Sequence, residues 1–433
     1  MKFFYSLITL ASIATTMLPA EISNNNIKVL LIAGSAGWEN YRHQADIGHA
    51  YKVLIERNLP AENIVVFAYD DIANNQMNPF PGKIYNHPSL KEDVYAGLKI
   101  DYKGDDVNEK NFLCALSGDK ECLKGVGTGR VVESCKDDDV FVYYADHGAY
   151  GLLGLPNGVI QRENIMNTLN DMNSKNKFRK LVFYIEACES GSIFESLQSN
   201  VNIFGVTAST GSESSYAAYC SGDHGLPCLG DEFSVNWIEN SQSDYDCKYL
   251  VETQVDTVKD KTLMSHVQRF GDKEIPEEKL KDFQGEFDKH SVLANNLRVS
   301  NYDVHQHPLV SSRDADIKHY QNIINSKVHF KTRVEALNSL NKLHKRREDN
   351  LNIVKNFVSI LGLNYEDLEK EVPVYNKNVD SKHGLLIRHL ESSCGNIGKN
   401  TDMLKYSKIF YNVCSKEIDF SKILISLTFS CQH

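Results

Sequence analysis

Cys188 stands in the stretch Ile185-Glu186-Ala187-Cys188-Glu189-Ser190-Gly191-Ser192, between two glutamates. A thiol attacks an amide carbonyl when a base takes its proton and hydrogen-bond donors meet the oxyanion that forms. His147 is the candidate base. Gly148, directly after it, leaves a backbone N–H open to close approach, and the N–H of Cys188 supplies a second donor. Neighbouring carboxylates raise a thiol's pKa, so Cys188 is expected to rest protonated and to lose its proton during attack. Glu186 and Glu189 therefore need a use other than activating the sulfur.

The elements that position these groups read as α/β. IKVLLIAG from Ile27, NIVVFAY from Asn63, DVFVYYAD from Asp139, KLVFYIEA from Lys180 and NVNIFGVTA from Asn200 are almost continuously apolar, as strands buried on both faces must be. Helical patterns separate several of them, for example Gln44 to Leu59, so a mostly parallel sheet flanked by helices is expected over residues 27–286. Ligands of such sheets sit at the carboxyl ends of the strands. His147 follows DVFVYYAD and Cys188 follows KLVFYIE, so both leave one edge. Beyond Gln284 the pattern becomes helical: Val334, Leu337, Leu340, Leu351, Val354, Val358 and Leu361 recur mostly three or four apart, giving an all-helical C-terminal domain at 326–433. The mixed polar piece at 287–325 reads as a linker.

Residues 1–20 place a lysine before an apolar stretch closing on small residues, the pattern of a secretory signal peptide, followed by a short leader at 21–26. No later stretch is long enough to span a bilayer. Ten cysteines in an oxidising compartment permit disulfides, and no Asn-x-Ser/Thr sequon occurs. From Ser326 onward 17 Lys plus Arg face 12 Asp plus Glu, leaving 30 against 45 upstream, so an acidic body is expected to dock a basic tail. Nucleic acid is excluded as a partner for such a body. His43, Asp46 and His49 could be read as metal ligands, but Arg42 beside them would repel a cation, and neither metal nor cofactor is expected.

YYADHGA around His147, IEACESGS around Cys188, NYRHQAD at 40–46, YDDIA with NPFPGKIYNHP at 69–88, ESSY at 213–216, LGDEFSVNW at 229–237 and SHVQRFGD at 265–272 together resemble the legumains, asparaginyl endopeptidases of lysosomes, plant vacuoles and invertebrate guts. The resemblance runs from Ile27 to the C-terminus. It implies a caspase-like fold, Cys188 as nucleophile, His147 as base and Asn40 as the residue that orients the histidine. It also implies an S1 cage of Arg42, His43, Glu186, Ser215 and Asp231. A carboxamide presents one acceptor oxygen and two N–H donors, so Arg42 suits the oxygen while Glu186 and Asp231 suit the nitrogen. Acid pH would protonate the pocket carboxylates and admit aspartate as well.

The same resemblance implies that the helical domain is an intramolecular inhibitor lost after self-cleavage at Asn325-Ser326, with Asn322 a close competitor, and that the asparagines at 24–26 could be trimmed likewise. Loss of carboxylate charge on acidification would loosen the cover. Disulfides Cys220–Cys228 and Cys394–Cys431 are implied; Cys414 lacks its expected partner near Lys382, and Cys114, Cys122, Cys135 and Cys247 are unassigned. Protein and peptide substrates and cystatin-like inhibitors are the implied partners, in a lysosome, endosome or other acidic lumen reached by the secretory pathway. Asp146 matches a position tied to imide formation and ligation, so a transpeptidase on the same site is the alternative, as is an inactive homologue acting by binding. Ala145, Ala36 and the stretch ASTGS after Thr207 depart from the family pattern.

Overall fold

The computed structural model describes residues 26–287 and 304–432; the expected signal peptide, most of the short leader and the stretch 288–303 lie outside the described residues. Strands are β1 Ile27–Ala33, β2 Ile64–Phe67, β3 Asp139–Ala145, β4 Gly148–Ala149, β5 Leu152–Leu155, β6 Gly158–Gln161, β7 Lys180–Glu186, β8 Ile203–Thr207, β9 Tyr216–Ala218, β10 Gly230–Asp231, β11 Gln268–Gly271 and β12 Val310–Ser311. All five apolar runs enter one sheet of order β11-β8-β7-β3-β1-β2. Its members run parallel except the edge strand β11.

Burial explains the near-continuous hydrophobicity. Along β3, Val140, Val142 and Tyr144 face one core with Phe112, Leu169 and Phe183, while Phe141, Tyr143 and Ala145 face the other with Val53, Leu54 and Trp237. Both faces are covered by helices, so neither set of side chains can be polar. The helix Tyr41–Glu56 packs Ile47, Ala50, Val53 and Leu54 onto the second face. In register, Ala33 lies opposite Ala145 and Ala145 opposite Glu186, so the residues that follow β1, β3 and β7 emerge side by side at one edge.

The C-terminal helices Phe330–Ile360, Lys377–Cys394, Ser407–Cys414 and Phe420–Gln432 build their own core around Val354, Phe357, Leu386, Phe410 and Leu427. That core continues onto Ala149, Leu152 and Val159 of the β4-β5-β6 sheet, which is how the tail docks on the body. The apolar stripe read along the first of these helices is only half used. Val334 and Leu337 are 37% and 45% exposed, because that end of the helix projects past the domain's core. Within the stretch read as a linker, residues 304–325 carry secondary structure: β12 joins β9, and Ala315–Asn325 is a helix.

Disulfides join Cys220 to Cys228, Cys394 to Cys431 and Cys114 to Cys122. The last was unassigned from sequence, although its separation of 8 residues equals that of the Cys220 pair. Cys135, Cys188, Cys247 and Cys414 are free thiols. No helix among the described residues is long and apolar enough to cross a membrane.

Candidate active site

His147 sits just past β3 and Cys188 just past β7, the two neighbours whose last residues, Ala145 and Glu186, are in register. The Asn40 amide at the mouth of the β1 edge reaches His147: its Oδ1 lies 2.8 Å from Nε2, while its Nδ2 donates to the Ala36 carbonyl at 2.9 Å. With Nδ2 committed there, Oδ1 can only accept. Nε2 of His147 must then carry the proton, leaving Nδ1 as the basic nitrogen. Burial, with the positive charges of Arg42 and Arg313, holds the imidazole well below its ordinary pKa and keeps it neutral, the state a base requires. Burial pushes the Cys188 thiol up; Arg313 opposes that and Glu189 adds to it. A Cβ on Gly148 would lie 2.3 Å from the Cys188 carbonyl oxygen and 2.8 Å from the Ala187 Cβ, so only glycine lets these two backbones meet.

Beside the thiol is a polar cage at the head of the helices Tyr41–Glu56 and Glu232–Ser243. Arg42 Nε donates to Asp231 Oδ1 at 2.9 Å. His43 lies between Asp146, 3.2 Å away, and Asp231, 3.6 Å away, and its Nδ1 is 2.6 Å from the Ser35 hydroxyl. Glu186 Oε2 accepts from the Ser234 backbone N–H and hydroxyl at 3.0 and 2.9 Å. Ser215 Oγ is 3.8 Å from the Cys188 sulfur. All five cage side chains are buried, yet Arg42 Nη2, His43 Nε2, Glu186 Oε1 and Asp231 Oδ2 have no hydrogen-bond partner among the described residues. Buried polar atoms are almost always paired, and a ring of unpaired donors and acceptors together is a place prepared for a ligand that offers both.

The peptidase C13 family is matched over residues 28–286. The chain is 35% identical to a hemoglobinase of Schistosoma japonicum over 95% of this chain and 96% of that one. It is 46% identical to the legumain of Bos taurus over 59% of each. The backbone is similar to the crystal structure of caspase-1 from Spodoptera frugiperda over 61% of this chain and 92% of that one, at 10% identity and a TM-score of 0.34.

The chain belongs to the peptidase C13 family.

In this C13 cysteine peptidase the cage carboxylates are buried beside one another. Burial first, then Asp231, raises Glu186; burial raises Asp231, opposed by Arg42; burial pushes Asp146 up to about 8. Asp46, from the same helix as Arg42, accepts from the Asp231 backbone N–H at 3.2 Å and from Asn86 at 2.7 Å, so it braces the cage rather than holding an ion. The possible metal-binding group that includes His43 consists of His43, Asp146 and His147, whose ligand atoms lie within 4.8 Å of one another; His49 is turned to Asn86 instead. The other such group among the described residues, Cys114, Asp119 and Cys122, has its sulfurs in a disulfide.

Sequence reasoning missed the occupant of the C13 cleft. β12 pairs antiparallel with β9, Val310 opposite Ala217 and Ser311 opposite Tyr216, and the Ser312 N–H donates to the Ser215 carbonyl at 3.0 Å. The Ser312 hydroxyl enters the cage, 3.3 Å from Asp231 Oδ1 and 3.1 Å from the Ser215 hydroxyl. Arg313 then pairs with Glu189 and donates to the Gly148 carbonyl at 3.2 Å. Ser35 and Ser234, which hold His43 and Glu186, were also missed; a lone serine carries no pattern that marks such a role. The signal available for the occupant was the β-type run LVSS ahead of RDAD.

The docked tail also departs from the simple charge reading. Arg162 of the body, fully buried, donates to Asp380 of the tail at 3.1 Å and to Glu195 at 2.8 Å, with the rings of Tyr150 and Tyr375 at 5.0 and 4.8 Å. The deepest ion pair of the interface thus has the cation on the acidic body and the anion on the basic tail.

Proposed function

We propose that this C13 peptidase is an endopeptidase that hydrolyses peptide bonds on the carboxyl side of asparagine. The observation that carries this reading is the cage of buried, unpaired groups: a guanidinium N–H on one side and two carboxylate oxygens on the other, the complement of a carboxamide. A site that hydrogen-bonds a polar group rejects analogues lacking it by about 10⁴ or more, because its own buried groups then go unpaired. In the reaction, Nδ1 of His147 takes the Cys188 thiol proton as sulfur bonds to the asparagine carbonyl carbon. The backbone N–H groups of Gly148 and Cys188 meet the oxyanion. Collapse breaks the C–N bond, the leaving amine takes the proton from the imidazolium, and water, deprotonated by His147, releases the acid from the thioester.

The test is a reporter series differing only in the residue before the cut. Asparagine should be cleaved and glutamine or leucine left; equal cleavage of all three contradicts the reading. Aspartate supplies a pH test. Its carboxylate is repelled by Glu186 and Asp231 at neutral pH and becomes an acceptable donor and acceptor once protonated. The Asp to Asn ratio of kcat/KM should climb as pH falls from 7 to 4.5, and a flat ratio contradicts the charge argument.

The chain is further read as a zymogen, entering the secretory pathway through residues 1–20, inhibited by the helical prodomain at 326–433 and self-cleaved in an acidic lumen such as the lysosome. Two features favour Asn325 over Asn322 as the cut: Asn325 is exposed at a helix end with an extended residue after it, while Asn322 lies within the helix with its amide donating to the Cys220 carbonyl at 3.0 Å.

We infer that a buried histidine of the tail contributes to acid release. Burial raises Glu189, opposed by Arg313 and Lys408, and raises Glu195, opposed by Tyr150 and Arg162. His383, on the tail, is pushed down to about 3 by burial and by Arg162, and is 3.0 Å from Ser407, whose hydroxyl donates to the Tyr150 carbonyl of the body. Its contribution to docking is full above its ordinary pKa of about 6.5 and is lost as pH falls from there towards about 3. At pH 4.5 this weakens docking up to roughly a hundredfold. His383→Gln should therefore hold a pre-cut tail to lower pH; an unchanged release midpoint contradicts the assignment.

A further inference from the structure

We propose that Glu189 is a specificity-determining residue on the leaving side of the cut, selecting arginine or lysine immediately after the cleaved asparagine. The inference rests on the proposed function and names its substrate class further. β12 and Ser312 lie in the cleft as an extended strand, paired with β9 and with Ser312 in the cage. The next residue, Arg313, therefore stands where the first residue beyond a scissile bond would stand. Its guanidinium is held by the Glu189 carboxylate and the Gly148 carbonyl.

This is not a solvated surface pair. The side chains of Arg313 and Glu189 are 19% and 15% exposed, so most of the water that would screen them is gone. Glu189 is also fixed in direction. Its backbone is left-handed, φ 48°, a conformation that disfavours a residue with a Cβ. Hydrogen bonds on both sides hold it there: its N–H donates to the Glu213 carbonyl at 2.8 Å, and its carbonyl accepts from the Ser192 N–H at 3.0 Å and the Ser192 hydroxyl at 2.6 Å. Among the described residues, the side-chain partner of the carboxylate, Arg313, belongs to the covering segment and not to the body.

When residues beyond Asn325 leave and the strand is displaced, Glu189 loses Arg313 and the nearby tail lysine, Lys408. It then stands as an uncompensated carboxylate next to the nucleophile. A substrate cation restores the pair and removes a negative charge that opposes thiolate formation, so it favours both binding and attack. A substrate carboxylate at the same place does the reverse.

The experiment uses acid-processed enzyme and quenched peptides of sequence Ala-Ala-Asn-X, with X arginine, lysine, alanine or glutamate, at pH 5.5. The order of kcat/KM should be arginine and lysine above alanine by roughly tenfold, and glutamate below alanine. Glu189→Gln should bring the arginine to alanine ratio towards one, Glu189→Asp should retain much of it, and Glu189→Lys should favour glutamate. Equal rates for all four peptides in the unaltered enzyme, or an arginine preference unchanged in Glu189→Gln, overturns the inference while leaving the asparagine reading standing. Absence of cleavage at any asparagine overturns both.

Discussion

Ser312→Asn is expected to turn the covering strand from inhibitor into substrate, with the purified zymogen yielding a new chain that begins at Arg313. The strand already has the pairing of a bound peptide, through β9 and the Ser215 carbonyl. What it lacks is a side chain that fits the cage. A serine hydroxyl reaches Asp231 and Ser215 and leaves Arg42 Nη2 and Glu186 Oε1 unpaired. Asparagine adds a carboxamide whose oxygen can accept from Arg42 and whose N–H groups can donate to Glu186 and Asp231. Because a cage of this kind discriminates by about 10⁴ or more, the substitution should change an uncut bond into one cut within the time of an ordinary acid activation. Ser312→Gln, one methylene longer, should stay intact. Intact mass and N-terminal sequencing decide it: an uncut Ser312→Asn chain, in a preparation that still cleaves asparagine reporters, contradicts the placement of Ser312 in the specificity cage.

Cys188→Ala and His147→Ala are each expected to lower kcat/KM on asparagine reporters by at least about 10³, and Cys188→Ala to leave the tail attached after acidification. The two losses should not add in the double variant, because sulfur and imidazole act as one proton-transfer unit. Asn40→Ala should cost less. Its amide only fixes the tautomer and tilt of His147, through the 2.8 Å contact to Nε2, and the free ring still samples the productive orientation. A double variant that loses the product of the single losses contradicts the unit, and Cys188→Ala protein that still sheds its tail contradicts self-cleavage.

The sheet was legible because each strand is buried on both faces and so is written as an unbroken apolar run; the edge of emergence followed from chain order alone. His147 and Cys188 could be placed together because each directly follows an apolar run, whereas the cage positions, scattered along the chain, came only with the family resemblance. The tail's docking was not legible. Arg162 and Asp380 carry no sequence pattern that marks them as partners, and only burial against Tyr150 and Tyr375 makes them a pair whose polarity opposes the bulk charges of the two halves. The covering strand was also missed, because its two-residue pairing leaves only the short β-type run LVSS and no period-2 pattern. Val334 and Leu337 erred in the other direction: the helical period predicts a face, but nothing in the period says where the partner surface ends.

The central claim is that one buried thiol cuts next to a side-chain amide. The most direct measurement is mass spectrometry of the chain ends formed when the purified full-length zymogen is acidified, with Cys188→Ala in parallel. The account predicts a new C-terminus at Asn325 and none in the variant. New ends after residues without a side-chain amide or acid, or the same ends from Cys188→Ala, would contradict it.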